Sequence, residues 1–217
     1  MNKEEIINEL KKLCKKIGIS DSENEIISHP LTSIIHVKKD GKMMIINDEY
    51  VDWKCNKIRD SSEDAGSIFL QINKSYGFSL LAETQSYLTQ REFSELLKEI
   101  WTTANFPNNE DIDLLMDLFK KAKKEFLMSE EDLNKFNSLP KVITIYRGLQ
   151  DEDSEVEVLS WTLSKEKAEW FANRRNIKNE VYQAEINKSD VFMFNNDRKE
   201  EEIVVNPYKL INIKMLY

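Results

Sequence analysis

The stretch LSWTLSKEKAEWFANRR, residues 159–175, decides the fold class of the C-terminal part of the chain. Apolar and hydroxyl residues alternate from Leu159 to Leu163, which is the period of a half-buried β-strand. From Ser164 the apolar period becomes helical and continues to about Arg175. The residues on the shared helical face are Ala168, Phe171, Ala172 and Arg175. This stretch therefore predicts a strand that is followed directly by a helix.

Short apolar segments surround this helix on both sides. The other predicted strands are Val142–Tyr146, Val181–Ile186, Val191–Phe194, Ile203–Val205 and Leu210–Leu216. Because a helical region precedes this β-rich region, the sequence predicts an α+β fold. We expect residues 1–139 to form a mainly helical supporting region and residues 140–217 to form a β-rich core, with one compact domain as the alternative.

The N-terminal region combines helical periodicity with a hairpin signal. Apolar residues from Ile6 to Ile17 follow helical spacing, and Gly18 stands where a helix often ends. Asp40-Gly41 lies between two strand-like segments, 33–37 and 42–46, and predicts a β-hairpin. The polar residues 56–66 predict a loop, and Ile68–Ile72 predicts a further strand.

Three helices are predicted between residues 89 and 139. Thr89 and Glu92 form a capping box at the start of the first helix. Asn109 is the predicted cap of the second helix, and Ser129 begins the third. These helices complete the predicted N-terminal support.

The composition excludes several classes of function. Acidic residues outnumber basic residues by 39 to 31, and the resulting formal charge of −8 argues against nucleic-acid binding. No apolar run is long enough for a membrane span, and no secretory signal is expected. Cys14 and Cys55 are the only cysteines, which fits a reducing cytoplasm; we expect both to be small buried hydrophobic residues.

The scarcity of glycine, histidine and cysteine narrows the chemistry further. The five glycines are spread along the chain, so a glycine-rich phosphate loop cannot be built. Because the chain has only two histidines and two cysteines, we expect neither a metal site nor a nucleophile paired with a histidine base. Catalysis would therefore depend on carboxylates, arginines and hydroxyl groups.

Three short segments of the β-rich region combine such residues. Tyr146-Arg147-Gly148 ends the first strand, Ser160-Trp161-Thr162 lies within the second, and Glu200-Glu201-Glu202 precedes a later apolar strand. Taken singly, they have ordinary structural explanations, namely a surface contact at a strand end, a half-buried strand and a solvated acidic turn. Their order along the chain and their positions on strands make the combination informative.

In this order the three segments resemble the R-S-E class of ADP-ribosyltransferases found in bacteria and their phages. That class has an aromatic–Arg motif, a Ser-Thr-Ser-like motif and a Glu-x-Glu motif immediately before a later apolar strand. The matching residues are Arg147, Ser160, Thr162, Glu200 and Glu202. The resemblance covers roughly the last third of the chain. It implies an ADP-ribosyltransferase-like split β-sandwich, with NAD as co-substrate and no metal.

The resemblance also implies roles for individual residues. Glu202 would stabilise the oxocarbenium ion that forms as the nicotinamide–ribose bond breaks, and Ser160 would orient Glu202 by a hydrogen bond. Glu200, on the same face of an extended segment, would activate an acceptor that we expect to be an arginine. The implied NAD-binding residues are Tyr146, Arg147, Gly148, Ser160, Thr162, Phe171 and Arg174.

Some of these residues have structural alternatives, and so does the function. Trp170 and Phe171 fit a hydrophobic core, whereas Arg174 fits the C-terminal end of a helix dipole. Residues 195–199 would form the loop that meets the acceptor. The expected function is mono-ADP-ribosylation of a protein of unknown identity. The alternatives are an NAD glycohydrolase and a non-catalytic interaction module whose helices, Thr89–Leu139, bind a partner.

Overall fold

The computed structural model describes residues 2–16, 27–36, 48–104, 110–149, 156–174 and 179–217. The chain divides into two compact units, Met1–Asn105 and Phe106–Tyr217. The described residues include both α-helices and β-strands, so the α+β class predicted from the sequence is confirmed. The division lies earlier than the predicted boundary at residue 139.

The first unit consists of helices and a short hairpin. Its elements are α1 (Lys3–Lys16), β1 (Ile27–His29), β2 (Thr32–His36), α2 (Asp48–Ser61), α3 (Ala65–Phe69), α4 (Gly77–Thr84) and α5 (Gln90–Thr103). Helix α1 packs against helices α2 and α4. Cys14 and Cys55 are free, buried thiols in α1 and α2, as predicted.

Two predicted helices of this unit are confirmed. Helix α1 buries Ile6, Ile7, Leu10 and Cys14, which are the residues that carry its periodicity. Helix α5 begins at the predicted capping box. The Oγ1 atom of Thr89 accepts a hydrogen bond from the Glu92 N–H at 3.2 Å, and Glu92 Oε2 accepts one from the Thr89 N–H at 2.8 Å. This reciprocal pair satisfies two backbone donors at the helix start.

Two predictions for residues 56–72 are wrong. Helix α2 continues through residues 56–61, because Val51, Cys55 and Ile58 recur at helical spacing and are buried. The predicted strand Ile68–Ile72 does not form: helix α3, Ala65–Phe69, covers its first two residues, and a turn follows. The cap of α3 is Asp64, whose Oδ1 accepts a hydrogen bond from the Ser67 N–H at 2.8 Å. In α2, buried residues at helical spacing outweigh a polar composition, whereas in α3 the Asp64 cap directs an apolar segment into a helix.

The predicted hairpin is only partly covered by the described residues. Strand β2 corresponds to the predicted strand 33–37, and it pairs antiparallel with β1, which was not predicted from the sequence. At the turn between them, the Leu31 N–H donates to Nδ1 of His29 at 3.1 Å. Gly18, the Asp40-Gly41 turn and the predicted strand 42–46 lie outside the described residues.

The α-helices of the second unit are α6 (Ile112–Lys121), α7 (Lys124–Leu127), α8 (Glu130–Ser138) and α9 (Lys165–Asn173). Asp111 caps α6 through hydrogen bonds from the N–H groups of Asp113 and Leu114. The predicted cap, Asn109, lies outside the described residues. Ser129 caps α8 as predicted, and Ser164 caps α9.

The second unit contains an open antiparallel sheet of six strands: β3 (Val142–Leu149), β4 (Ser160–Thr162), β5 (Glu180–Asn187), β6 (Val191–Asn195), β7 (Glu202–Val205) and β8 (Ile211–Met215). Their order in the sheet is β6-β7-β4-β3-β5-β8. All six strands predicted in this region are confirmed. Strands β3 and β5 pair along their whole length, whereas β3 and β4 are paired among the described residues at Tyr146–Thr162 alone. The sheet therefore has two parts, β6-β7-β4 and β3-β5-β8, that meet at this pair.

Helices α6 to α8 pack against strand β6 and the segment before it. The ring of Phe119 stacks on that of Phe192 with centroids 5.6 Å apart. The Phe194 N–H donates to the sulfur of Met128 at 3.4 Å. Lys188 donates from Nζ to carbonyl groups at the end of α8. These contacts explain why the helices belong to the sheet unit and not to the N-terminal one.

Gly148 marks the closest approach of helix α9 to strand β3. A Cβ atom at Gly148 would lie 1.9 Å from the carbonyl oxygen of Ala168 and 2.6 Å from the backbone nitrogen of Ala172. Backbone atoms cannot rotate away as a flexible side chain can. We therefore expect Gly148→Ala to lower the free energy of unfolding of the second unit by about 3 kcal/mol or more, measured by urea denaturation.

Gly66→Ala is a matched control for this substitution. A Cβ atom there would lie 3.6 Å from Oδ1 of Asp64, which is ordinary contact. Since Gly66 is helical, alanine should leave the free energy of unfolding unchanged or raise it by up to about 1 kcal/mol. Equal unfolding midpoints for the two variants would show that α9 does not lie this close to β3.

Candidate active site

The three predicted motifs lie on adjacent strands of the sheet. In the register of the sheet, Thr162 of β4 stands between Tyr146 of β3 and Glu202 of β7. Residues that are paired in register point to the same side of a sheet. Tyr146, Thr162 and Glu202 therefore share one face. Gly148, two residues after Tyr146, places helix α9 on that face as well.

Glu202 is a buried carboxylate with polar partners on both oxygens. The residue is only 5% exposed. The Ser160 hydroxyl donates to Oε1 of Glu202 at 2.7 Å, and the Asn195 amide donates to Oε2 at 3.5 Å. Burying a charged carboxylate is costly unless such partners compensate. The strand positions thus hold the Glu202 carboxylate in a fixed orientation.

Arg147 connects this carboxylate to the other part of the sheet. Its Nη1 atom donates to the carbonyl oxygen of Ser160 at 2.7 Å. Because β3 and β4 are otherwise joined at Tyr146–Thr162, the guanidinium helps to hold β4 against β3. A continuous series of contacts therefore runs from Arg147 through Ser160 to Glu202. The sequence analysis predicted the Ser160–Glu202 hydrogen bond, and the structure contains it.

Glu200 lies beside this series, at the edge of solvent. Its side chain is 25% exposed, and Oε2 lies 3.1 Å from Nε of Arg198. Its carbonyl oxygen accepts a hydrogen bond from the Thr162 hydroxyl at 2.7 Å, and Thr162 Oγ1 in turn accepts from the Ser164 N–H. The Thr162 hydroxyl therefore fixes the backbone that carries Glu200.

The Glu200 and Glu202 side chains contact the same arginine, but not because they share a face of an extended segment, as was predicted. Glu201 has a φ of 48°, so the segment from Glu200 to Glu202 is not extended and the same-face argument does not apply. The side chains nevertheless meet at one guanidinium. Nη2 of Arg198 lies 3.8 Å from Oε2 of Glu202, while Nε of Arg198 contacts Glu200.

Two residues of the site were not predicted as its members. Asn195 was placed in the acceptor loop, but it is the last residue of β6, is buried, and stands opposite Glu202 in the register. Arg198 pairs with both glutamates. The available signals were a polar residue at the end of an apolar strand and a cation two residues before Glu200.

Two predicted NAD-binding residues have a packing function in this structure. Tyr146 packs, half-buried, against a cluster formed by Ala168, Ala172 and Val181. Gly148 makes room for the backbone of α9. Their contact with NAD stays a prediction.

Phe171 and Arg174 lie at the C-terminal end of α9 with Trp170. Trp170 is 54% exposed, so its predicted place in the core is wrong, while Phe171 is half-buried. The two rings meet edge-on with centroids 5.0 Å apart, and the Arg174 guanidinium lies 5.3 Å from the Trp170 centroid. This end of the helix therefore presents an exposed indole beside a cation.

Two further findings concern the residues that the structure describes, and a third concerns the comparison of the chain with known proteins. Within the described ranges, no helix is both long and apolar enough to cross a bilayer. The same residues contain no group of three or more His, Cys, Asp or Glu side chains that could hold a metal ion. Compared with known protein families, curated proteins and solved structures, the chain matches none.

Proposed function

We propose that this chain is a mono-ADP-ribosyltransferase of the R-S-E class. It would transfer ADP-ribose from NAD to an arginine side chain of a protein and release nicotinamide. The observation that carries the proposal is the contact series from Arg147 through Ser160 to Glu202, with 2.7 Å at each step. This series joins the three motifs of the resemblance on adjacent strands. The short β3–β4 junction supports a sheet that splits into two parts, as the class implies.

Glu202 would stabilise the transition state of nicotinamide loss. Breaking the bond between ribose C1′ and nicotinamide leaves positive charge on the ribose ring, as glycoside cleavage does. A carboxylate near that carbon and the adjacent hydroxyl stabilises this charge. Ser160 holds Oε1 and Asn195 contacts Oε2, so little reorganisation is needed when the charge develops.

The available donors fit a dinucleotide. The pyrophosphate of NAD requires cations of fixed geometry, and a planar guanidinium provides paired hydrogen bonds. Arg147 is half-buried beside Ser160, and Arg174 lies next to the exposed ring of Trp170. An exposed indole beside a cation would stack against an aromatic base. NAD itself would supply the ribosyl group and the nicotinamide leaving group.

Glu200 would activate the acceptor. Its carboxylate already pairs with the guanidinium of Arg198 at 3.1 Å, and a carboxylate of this exposure can pair with the guanidinium of another protein. This pairing supports arginine as the acceptor. As general base, Glu200 would take the proton from the arginine nitrogen while that nitrogen attacks C1′.

Arg147→Lys should weaken NAD binding although the charge is kept. Lysine cannot reproduce the planar fork that holds Ser160 and would hold a phosphate. Losing a charge-assisted hydrogen bond corresponds to roughly a ten- to hundredfold higher Kd. Calorimetric titration of NAD into both proteins at fixed salt measures the difference. Equal affinities, with equal melting temperatures, would mean that Arg147 only ties β3 to β4.

Incubation with labelled NAD and a cell lysate tests the proposed function as a whole. We expect label on arginine side chains of one or a few proteins, together with free nicotinamide. Nicotinamide without labelled protein would instead indicate an NAD glycohydrolase. A chain that shows no NAD binding by calorimetry would be an interaction module, which would overturn the proposal.

A further inference from the structure

Arg198 has no role of its own in the proposed reaction, although its pairing with Glu200 supports an arginine acceptor. It lies in the loop between β6 and β7, residues 196–201, and its guanidinium contacts Glu200 at 3.1 Å and Glu202 at 3.8 Å. The Arg198 guanidinium thus contacts both carboxylates of the proposed reaction. Glu200 would act on the acceptor arginine, and Glu202 would act on the ribose.

The loop backbone holds Arg198 at this position through its own hydrogen bonds. The Asn196 side chain accepts from the Glu201 N–H at 3.1 Å, and the Asn196 carbonyl accepts from the Lys199 N–H at 2.9 Å. Lys199 and Glu201 both have left-handed backbone, with φ values of 57° and 48°. The loop therefore turns twice within three residues, once on each side of Glu200.

The ion pair itself is only loosely held. The Arg198 side chain is 46% exposed, compared with 7% for the Glu202 side chain. Ion pairs that reach solvent in this way contribute little to stability, so little free energy opposes their separation. The Arg198 guanidinium can therefore leave Glu202 when a ligand arrives and remain beside Glu200, as an acceptor would.

We infer that Arg198 is an intramolecular acceptor, so that the chain ADP-ribosylates its own Arg198. The inference rests on the proposed function. It adds a modification site on this chain and identifies the acceptor group as a guanidinium held by Glu200.

The step is balanced without any further reactant. A terminal nitrogen of the Arg198 guanidinium attacks C1′ of the nicotinamide ribose and forms the new C–N bond. The bond from C1′ to nicotinamide breaks, and its electron pair neutralises the positive charge of the departing pyridinium ring. Glu200 accepts the proton that the attacking nitrogen loses, and Glu202 stabilises the charge on the ribose.

Proximity favours Arg198 over other arginines of the chain. Arg198 is carried on the loop that contacts Glu202, where the proposed function places the reacting carbon, and a group held so close has a high effective concentration. Arg147 is already bonded to the carbonyl of Ser160, and Arg174 lies against the ring of Trp170. Arg91 pairs with Glu95 on helix α5 of the first unit. We therefore expect one preferred site.

The test uses the full chain incubated with NAD alone. Intact mass spectrometry should show the addition of one ADP-ribose, and fragmentation should place it on Arg198. Arg198→Lys should lose at least tenfold in labelled fraction, whereas Arg91→Lys, a matched change of an exposed arginine, should keep it. Calorimetry on Arg198→Lys should show that NAD still binds. The labelling rate per chain should not change on dilution, because the reaction is intramolecular.

Several outcomes would overturn this inference. Nicotinamide release with no label on Arg198, or with label chiefly on another residue, would leave the proposed function standing and remove Arg198 as the acceptor. A labelling rate that rises with chain concentration would mean that one molecule modifies another. Absence of nicotinamide release would overturn the proposed function, and this inference with it.

Discussion

Glu202→Gln is expected to release nicotinamide from NAD about a thousandfold more slowly than the wild-type chain, with transfer to protein falling equally. The neutral amide has the shape of the carboxylate but cannot offset the positive charge on the ribose. A thousandfold loss corresponds to about 4 kcal/mol of transition-state stabilisation. The fold should persist, because the glutamine oxygen can still accept the hydrogen bond from Ser160.

Glu201→Gln is the matched control, since it removes the same charge from the neighbouring residue. We expect its nicotinamide release to stay within a few-fold of wild type. Thermal melts of both variants establish that differences in rate do not arise from unfolding. If Glu202→Gln retained a rate within a few-fold of wild type at unchanged thermal stability, Glu202 would have no part in the mechanism.

Glu200→Gln should separate acceptor activation from NAD cleavage. Removing a general base typically costs ~100- to 10,000-fold, so labelling of a protein acceptor should fall by that factor. Nicotinamide release should stay within about tenfold of wild type, because Glu202 and its Ser160 partner remain in place and water needs less positioning. Nicotinamide and labelled protein should be measured on the same preparation.

The two other outcomes of this experiment are informative. If both activities fell to background, Glu200 would also be needed for NAD cleavage. It would then either act together with Glu202 or hold the loop through its contact with Arg198. If neither activity fell, Glu200 would not be the base, and the argument for an arginine acceptor would lose its main support.

The strands of the sheet could be predicted from the sequence because the pattern of apolar residues that marks each strand is local. Each strand of the second unit is a short apolar segment, and the helix α9 between β4 and β5 has its own period and a serine cap. Residues 56–61 were mispredicted as a loop because the end of helix α2 has a polar composition and few buried side chains. Burial of Val51, Cys55 and Ile58 is decided by packing against other helices, which local composition does not report.

The candidate site likewise has some contacts that were predicted from the sequence and others that were not. The Ser160–Glu202 contact was implied by the resemblance of the three motifs, and the pairing of β4 with β7 brings the two residues together. Arg198 depends on a loop with two left-handed residues, and Asn195 depends on the β6–β7 register. Neither feature has a strong signal in a single sequence.

Helix α9 buries Ala168 and Ala172 of its predicted apolar face, whereas Trp170 lies outside that face. Its small residues Ala168 and Ala172 face the sheet, since Gly148 lets the backbones approach closely. The larger Trp170 is consequently turned to solvent, although its apolar character predicted burial. The small size of the residues of α9 that contact β3, and not hydrophobicity alone, therefore determines which face of the helix is buried.

The claim that this site cleaves NAD is tested most directly by one measurement. The purified full chain is incubated with NAD, and the products are separated by chromatography against NAD kept in buffer alone. We predict that nicotinamide accumulates in an amount equal to the NAD consumed. Nicotinamide that never exceeds the buffer control over the same period would contradict the claim.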